Sequence, residues 1–126
     1  MEIQLKRFDI SDIKDDKVVV LIGKRDTGKS ILCKDIMSRH SGIPAGQVIS
    51  GTEAANEFYS KMVPKLFIYE EYEPGIIERL LKRQKMMIDR CKENTSTDPR
   101  AFLILDDCLY DNTWTKDKNV RSLFMN

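Results

Sequence analysis

The chain's pattern predicts an α/β fold, with a mostly parallel sheet flanked by helices, and three observations carry that expectation. Residues 18–22 (Val18, Val19, Val20, Leu21, Ile22) and 101–105 (Ala101, Phe102, Leu103, Ile104, Leu105) are continuously apolar runs of strand length, as central strands covered on both faces should be. Between them, stretches with apolar residues at helical spacing alternate with strand-like ones. A glycine-bounded loop, residues 23–30, joins the first apolar run to the first helical stretch.

Taken in order, residues 1–17 mix Ile3, Leu5, Phe8, Ile10 and Ile13 with Lys6, Arg7, Asp15 and Asp16, which suggests a short strand or strap before the first central strand. A helix is expected from Lys29 to about Arg39, carrying Ile31, Leu32, Ile36 and Met37, and Ser41, Gly42, Ile43 and Pro44 end it. Gln47 to Ser50 reads as a second strand closed by Gly51. Thr52 and Glu53 then open a helix through Lys61, Pro64 breaks it, and Lys65 to Tyr69 is strand-like.

The longest helix is expected from about Gly75 to Asn94, with Ile76, Ile77, Leu80, Leu81, Gln84, Met87, Ile88 and Cys91 forming a stripe at steps of three and four. Its other face carries Arg79, Lys82, Arg83, Lys85, Arg90 and Lys92, which suit either a phosphate backbone or, as is commoner on helix surfaces, water. Residues 94–100 form a polar loop before the strand that ends in Asp106 and Asp107. Lys116 to Asn126 is expected to be a helix bearing Val120, Leu123 and Phe124. The sheet so far has about four strands, fewer than usual, so the chain is expected to be a single domain over residues 1–126 that is incomplete at its C-terminus.

At 126 residues, 41% hydrophobic and 33% charged, the composition is that of an ordinary soluble chain. No apolar run is long enough to span a membrane, and the polar N-terminus lacks the apolar core of a signal peptide, so a cytoplasmic protein without a membrane partner is expected. A net charge of +1 gives no global electrostatic case for nucleic acid. Cys33, Cys91 and Cys108 share no C-x-x-C spacing and have only His40 as company, which argues for reduced thiols filling core space.

The chemistry is concentrated in Gly23, Lys24, Arg25, Asp26, Thr27, Gly28, Lys29 and Ser30, with Ile31 completing the turn into the helix. Glycines at the two ends let the backbone close around a phosphate chain, so that successive N–H groups and the helix N-terminus face negative charge. Lys29 is placed to reach the β and γ phosphates. Ser30 supplies the small hydroxyl that a nucleotide-bound magnesium ion requires directly after the lysine. The whole stretch, 23–31, is therefore the expected nucleotide-binding segment, and Lys29 the expected catalytic lysine of a P-loop NTPase.

Asp106 and Asp107 follow four apolar residues at a strand end, which fits the acidic partner of such a loop. Asp106 is assigned to the metal with Ser30, and Asp107 to the base that orients or deprotonates the attacking water. Neighbouring residues on a strand face opposite ways, so this division requires the backbone to turn at Asp107. A regulatory GTPase would want Asp-x-x-Gly and Asn-Lys-x-Asp. Asp107, Cys108, Leu109 and Tyr110, and Asp117, Lys118, Asn119 and Val120, match neither, leaving ATP as the expected nucleotide.

These motifs resemble the genome-packaging ATPases of large nucleocytoplasmic DNA viruses, a branch of the FtsK/HerA superfamily of ring ATPases. The resemblance rests on residues 22–30, on Leu103 to Cys108, and on Trp114 with the tail Val120, Arg121, Ser122, Leu123, Phe124, Met125 and Asn126. It implies magnesium-dependent ATP hydrolysis, a homo-oligomeric ring, capsid or portal components as partners, and double-stranded DNA pushed into a preformed capsid at cytoplasmic assembly sites. Asp26 departs from the pattern, since the family more often has a small residue there. The resemblance also implies a γ-phosphate sensor and a trans-acting arginine beyond Asn126; Arg25 and Arg121 are conceivable substitutes that read more simply as surface residues.

Two other classes stay open. A P-loop kinase of a small molecule or nucleotide draws on the phosphate loop alone, and no arginine-rich lid follows Asp106. A nucleotide-binding fragment without turnover would hold ATP yet lack groups that stabilise the transition state.

Overall fold

The computed structural model describes residues 1–108 and 113–125. Leu109 and Tyr110, used above against a GTPase, and Asn126, the end of the tail motif, lie outside the described residues. The chain divides into two compact units, Met1–Ser41 and Gly42–Asn126.

In the first unit, α1 (Lys29–Arg39) has the bounds its apolar spacing predicts. Gly28 caps its start, and the His40 N–H closes its end on the Met37 carbonyl at 3.0 Å. His40 Nδ1 also lies 2.6 Å from Asp15 Oδ1, tying the helix end to the preceding strap. Within that strap, Asp9 accepts the Ser11 N–H at 3.0 Å and caps a single 3-10 turn, Ile10–Asp12, which stands where a short strand or strap was expected. The hydrogen bonding from Ser11 holds the Asp9 carboxyl below its usual range. Phe8, Ile10, Val19 and Leu21 line an apolar groove with Leu32 and Ile36 of α1.

Residues 18–22 are not a strand among the described residues, and this corrects the first expectation. Apolar residues make a strand favourable only when a neighbour completes its ladder of N–H and C=O groups, and the observed ladder contains three other segments. The expected burial on both faces is missing as well: Val20 is 64% and Ile22 93% exposed.

The second unit holds a small parallel sheet flanked by helices, which bears out the α/β expectation. Its strands are β1 (Ala45–Ser50), β2 (Ile68–Tyr69) and β3 (Ala101–Asp106), in the order β2-β1-β3. The register pairs Gly46 with Phe102, Val48 with Ile104 and Ser50 with Asp106, so the carboxyl ends of β1 and β3 are level.

Between β1 and β2, the helix expected through Lys61 is divided. The short helix α2 (Glu53–Asn56) ends where Glu57 takes φ 48°, and a 3-10 turn, Tyr59–Lys61, follows. The cause is Glu53, whose buried carboxylate accepts the Tyr59 N–H at 2.8 Å and the Ser60 N–H at 2.7 Å. Those bonds give the turn's first donors an acceptor that a continuous helix would have supplied differently. The strand expected from Lys65 likewise begins as a 3-10 turn, Lys65–Phe67, leaving only Ile68 and Tyr69 in the ladder.

The long helix α3 (Pro74–Glu93) starts on a proline, which suits a first-turn position with no N–H obligation. Ile76, Ile77 and Leu80 of its stripe are buried, while Ile88 at the far end is 54% exposed. The core gathers Ile76 and Ile77 with Ile49 of β1, Cys108, and Val120 of α4 (Lys118–Met125); Leu103, Leu105 and Trp114 pack against it. A 3-10 turn, Thr113–Lys116, precedes α4 in place of a single helix from Lys116, because Asp117 Oδ1 accepts the Asn119 N–H at 2.8 Å and so starts the helix there. Phe124, expected on the apolar face, is 53% exposed.

Candidate functional site

The loop over residues 23–30 is folded by its own side chains. Thr27 Oγ1 donates to the Lys24 carbonyl at 2.6 Å. Lys29 Nζ donates to the carbonyls of Gly23 at 2.6 Å and Lys24 at 2.7 Å, so the ammonium lies across the start of the loop. A Cβ on Gly23 would come within 2.8 Å of Thr27 Oγ1, closer than real Cβ contacts, which is why the loop opens on glycine. Gly28 has φ 91°, a left-handed conformation that glycine adopts at no steric cost.

Asp26 also has positive φ, 62°. Aspartate and asparagine are the side chains that best tolerate this region, so Asp26 suits a backbone conformation that a glycine would also take. Arg25 and Asp26 are exposed at the loop tip.

Ser30 is half-buried in the first turn of α1, and Ile31 is 70% exposed beside it. The Leu32 N–H reaches the Gly28 carbonyl at 3.0 Å, which closes the first turn of the helix. The start of a helix, where the macrodipole is positive, is a place that favours an anion.

Asp106 and Asp107 belong to the other unit. Asp106 is the last residue of β3, opposite Ser50, and its backbone carbonyl accepts the Gly51 N–H at 3.1 Å. Asp107 takes φ 48° and is exposed. This is the backbone turn that the proposed division of roles required, for it breaks the strand's alternation between the two carboxylates. Cys108 is 4% exposed in the core, and burial, with the nearby charges of Asp106 and Asp107, pushes its thiol up from 9.0 to about 11. It fills core space, as expected of the cysteines.

Around Asp106 lie polar residues that sequence reasoning missed. The Tyr59 hydroxyl donates to Asp106 Oδ2 at 2.7 Å, and Tyr59 is 1% exposed. Ser50 is fully buried, with its hydroxyl 3.5 Å from that of Thr52. No local signal links Tyr59 to an acid 47 positions away. A buried Glu53 runs against the usual exposure of glutamates.

On α3, Arg79, Lys82, Lys85, Arg90 and Lys92 are exposed and Arg83 is half-buried, so the basic face is solvated. Arg121 donates from Nε to the Thr115 carbonyl at 2.8 Å, a local structural contact.

Among the described residues, no group of three or more His, Cys, Asp or Glu side chains gathers as a metal cage. Magnesium bound with a nucleotide does not need one, since one or two carboxylates, phosphate oxygens and water complete its shell. The Asp106 carboxylate at the end of β3 and the Ser30 hydroxyl in the first turn of α1 are each hard oxygen donors of the type that magnesium takes. No helix among the described residues is long and apolar enough to cross a membrane.

Comparison with known proteins finds relatives in several viruses. The chain is 36% identical over 128 residues to an uncharacterized protein of Acanthamoeba polyphaga mimivirus, covering 98% of this chain and 45% of that protein. It is 45% identical over 109 residues to one of Invertebrate iridescent virus 6, covering 86% of this chain and 41% of the relative. It is 41% identical over 117 residues to one of Frog virus 3, covering 92% of this chain and 35% of the relative. The chain thus spans less than half the length of these relatives. No family model matches it, and no solved structure matches it.

Proposed function

We propose that this chain is the nucleotide-binding part of a P-loop ATPase that drives double-stranded DNA into a viral capsid, a member of the FtsK/HerA group of ring motors. The observation that carries the reading is the loop itself: Lys29 Nζ held by the Gly23 and Lys24 carbonyls, and Gly28 at φ 91° leading directly into α1. An ammonium drawn over a glycine-bounded loop that runs directly into a helix start supports this reading, because a phosphate chain is gripped by such a loop's amides together with a lysine. Relatives in mimivirus and iridescent viruses agree with a viral role.

In this reading the loop amides bind the phosphates, and Lys29 neutralises charge developing on the γ phosphate. Ser30 and Asp106 would hold magnesium, which when bound supplies charge neutralisation between the β and γ phosphates. Asp107, turned out of β3, takes a proton from the attacking water or orients it. The motor works as a homo-oligomeric ring with capsid or portal components in the host cytoplasm.

The test is phosphate release from ATP by the protein with magnesium, with and without duplex DNA. Turnover that rises on adding DNA is expected. Turnover indifferent to DNA, together with phosphate transfer to a small acceptor, would replace the motor by a kinase. Nucleotide binding with no turnover under any condition would leave a binding module.

A further inference from the structure

We propose that Tyr59 is a positioning residue for Asp106, fixing the orientation in which that carboxylate meets the metal-bound nucleotide; this rests on the ATPase reading above. The phenol oxygen donates to Asp106 Oδ2 at 2.7 Å while the ring is 1% exposed, so the hydroxyl is delivered to the carboxylate from inside the unit. A phenylalanine would fill the same core volume, and burying a hydroxyl costs free energy unless it is hydrogen-bonded. The hydroxyl is therefore used on the acid at the end of β3.

The turn that carries Tyr59 is itself held. Glu53, 7% exposed, accepts the Tyr59 N–H through Oε2 at 2.8 Å and the Ser60 N–H through Oε1 at 2.7 Å. The Phe58 ring meets the Tyr59 ring edge to face with centroids 5.0 Å apart. A carboxylate gripping two successive amides fixes the backbone from which the phenol projects. The arrangement runs Glu53, the turn Tyr59–Lys61, the phenol, then Asp106, and it links the segment after β1 to the acid at the end of β3. A ligand whose orientation is set by such an outer partner binds metal more tightly, and loss of the partner typically costs about 10- to 100-fold in metal affinity.

The experiment measures Mn2+ binding by electron paramagnetic resonance in the presence of a non-hydrolysable ATP analogue, for the protein, Tyr59→Phe, Asp106→Asn and the double variant. Tyr59→Phe is expected to weaken Mn2+ binding about 10-fold or more and to leave metal-free nucleotide affinity unchanged. In the Asp106→Asn background it should have no further effect. Replacing Tyr59 by 3-fluorotyrosine, which keeps the hydroxyl, should retain the parent affinity. Tyr59→Phe with unchanged Mn2+ affinity, where Asp106→Asn weakens it, overturns the proposal while the ATPase reading stands. Equal Mn2+ binding by the parent and Asp106→Asn overturns the assignment of Asp106 to the metal, and the role of Tyr59 falls with it.

Discussion

Gly46 lies opposite Phe102 across the β1–β3 ladder, and a Cβ built on it would meet the Phe102 ring at 2.3 Å. The ring occupies the space that any other residue at 46 would claim. Gly46→Ala should lower stability by about 1–3 kcal/mol, the range for overpacking a filled site, read as a lower urea midpoint with unchanged slope; an unchanged midpoint would contradict that packing. Chemistry at single residues is as specific. Lys29→Ala removes the ammonium and should weaken ATP binding by about tenfold or more, the usual worth of a charged hydrogen bond. Asp107→Asn should preserve binding and stop turnover, and normal hydrolysis by that variant would refute the division of roles between the acids. Asp26 belongs to the same scale: Asp26→Gly, which keeps φ 62° accessible, should retain nucleotide affinity, whereas Asp26→Val should lose it.

Among the elements, the break between α2 and the Tyr59–Lys61 turn has a clear cause and a clear test. Glu57 holds φ 48°, which costs most residues about 1–2 kcal/mol relative to glycine. Glu57→Gly should therefore stabilise the protein by about 1 kcal/mol. The ion pair with Lys65 that it gives up, at 3.9 Å and well exposed, contributes little. A fall in melting temperature for Glu57→Gly would show that the side chain matters more than the backbone. Native alkylation tests the burial of Cys108 behind β3: Cys33 of α1 and Cys91 of α3, partly exposed, should label before it. Where signals are local the sequence was legible. The glycine before Lys29 and the spacing of Ile31, Leu32 and Ile36 define α1, and four apolar residues before Asp106 define β3. Non-local partners were not legible. Residues 18–22 carry a strand's composition but no ladder, and the Glu53 carboxylate divides a segment whose pattern reads as one helix. The turn at Asp107 was foreseen as a requirement, while Tyr59 behind Asp106 left no trace in spacing.

At the scale of the whole molecule, the chain carries its two chemical motifs in different compact units and spans less than half the length of its viral relatives. The phosphate loop lies in Met1–Ser41 and the acids follow β3 in Gly42–Asn126. The reading as a DNA motor requires these motifs to act on one nucleotide, and it requires turnover to respond to duplex DNA. The basic, solvated face of α3 is where a phosphate backbone would be sensed if this chain touches DNA directly: reversing Lys82 and Lys85 to glutamate should then lower DNA-stimulated turnover and leave basal turnover unchanged. The most direct test of the central claim is the magnesium-dependent affinity for ATP of the protein, Ser30→Ala, Asp106→Asn and the double variant, measured by calorimetry. Groups that serve one bound ion lose affinity non-additively, so the double variant should bind scarcely more weakly than the worse single one. Strictly additive losses, or no loss from Asp106→Asn, would contradict the account.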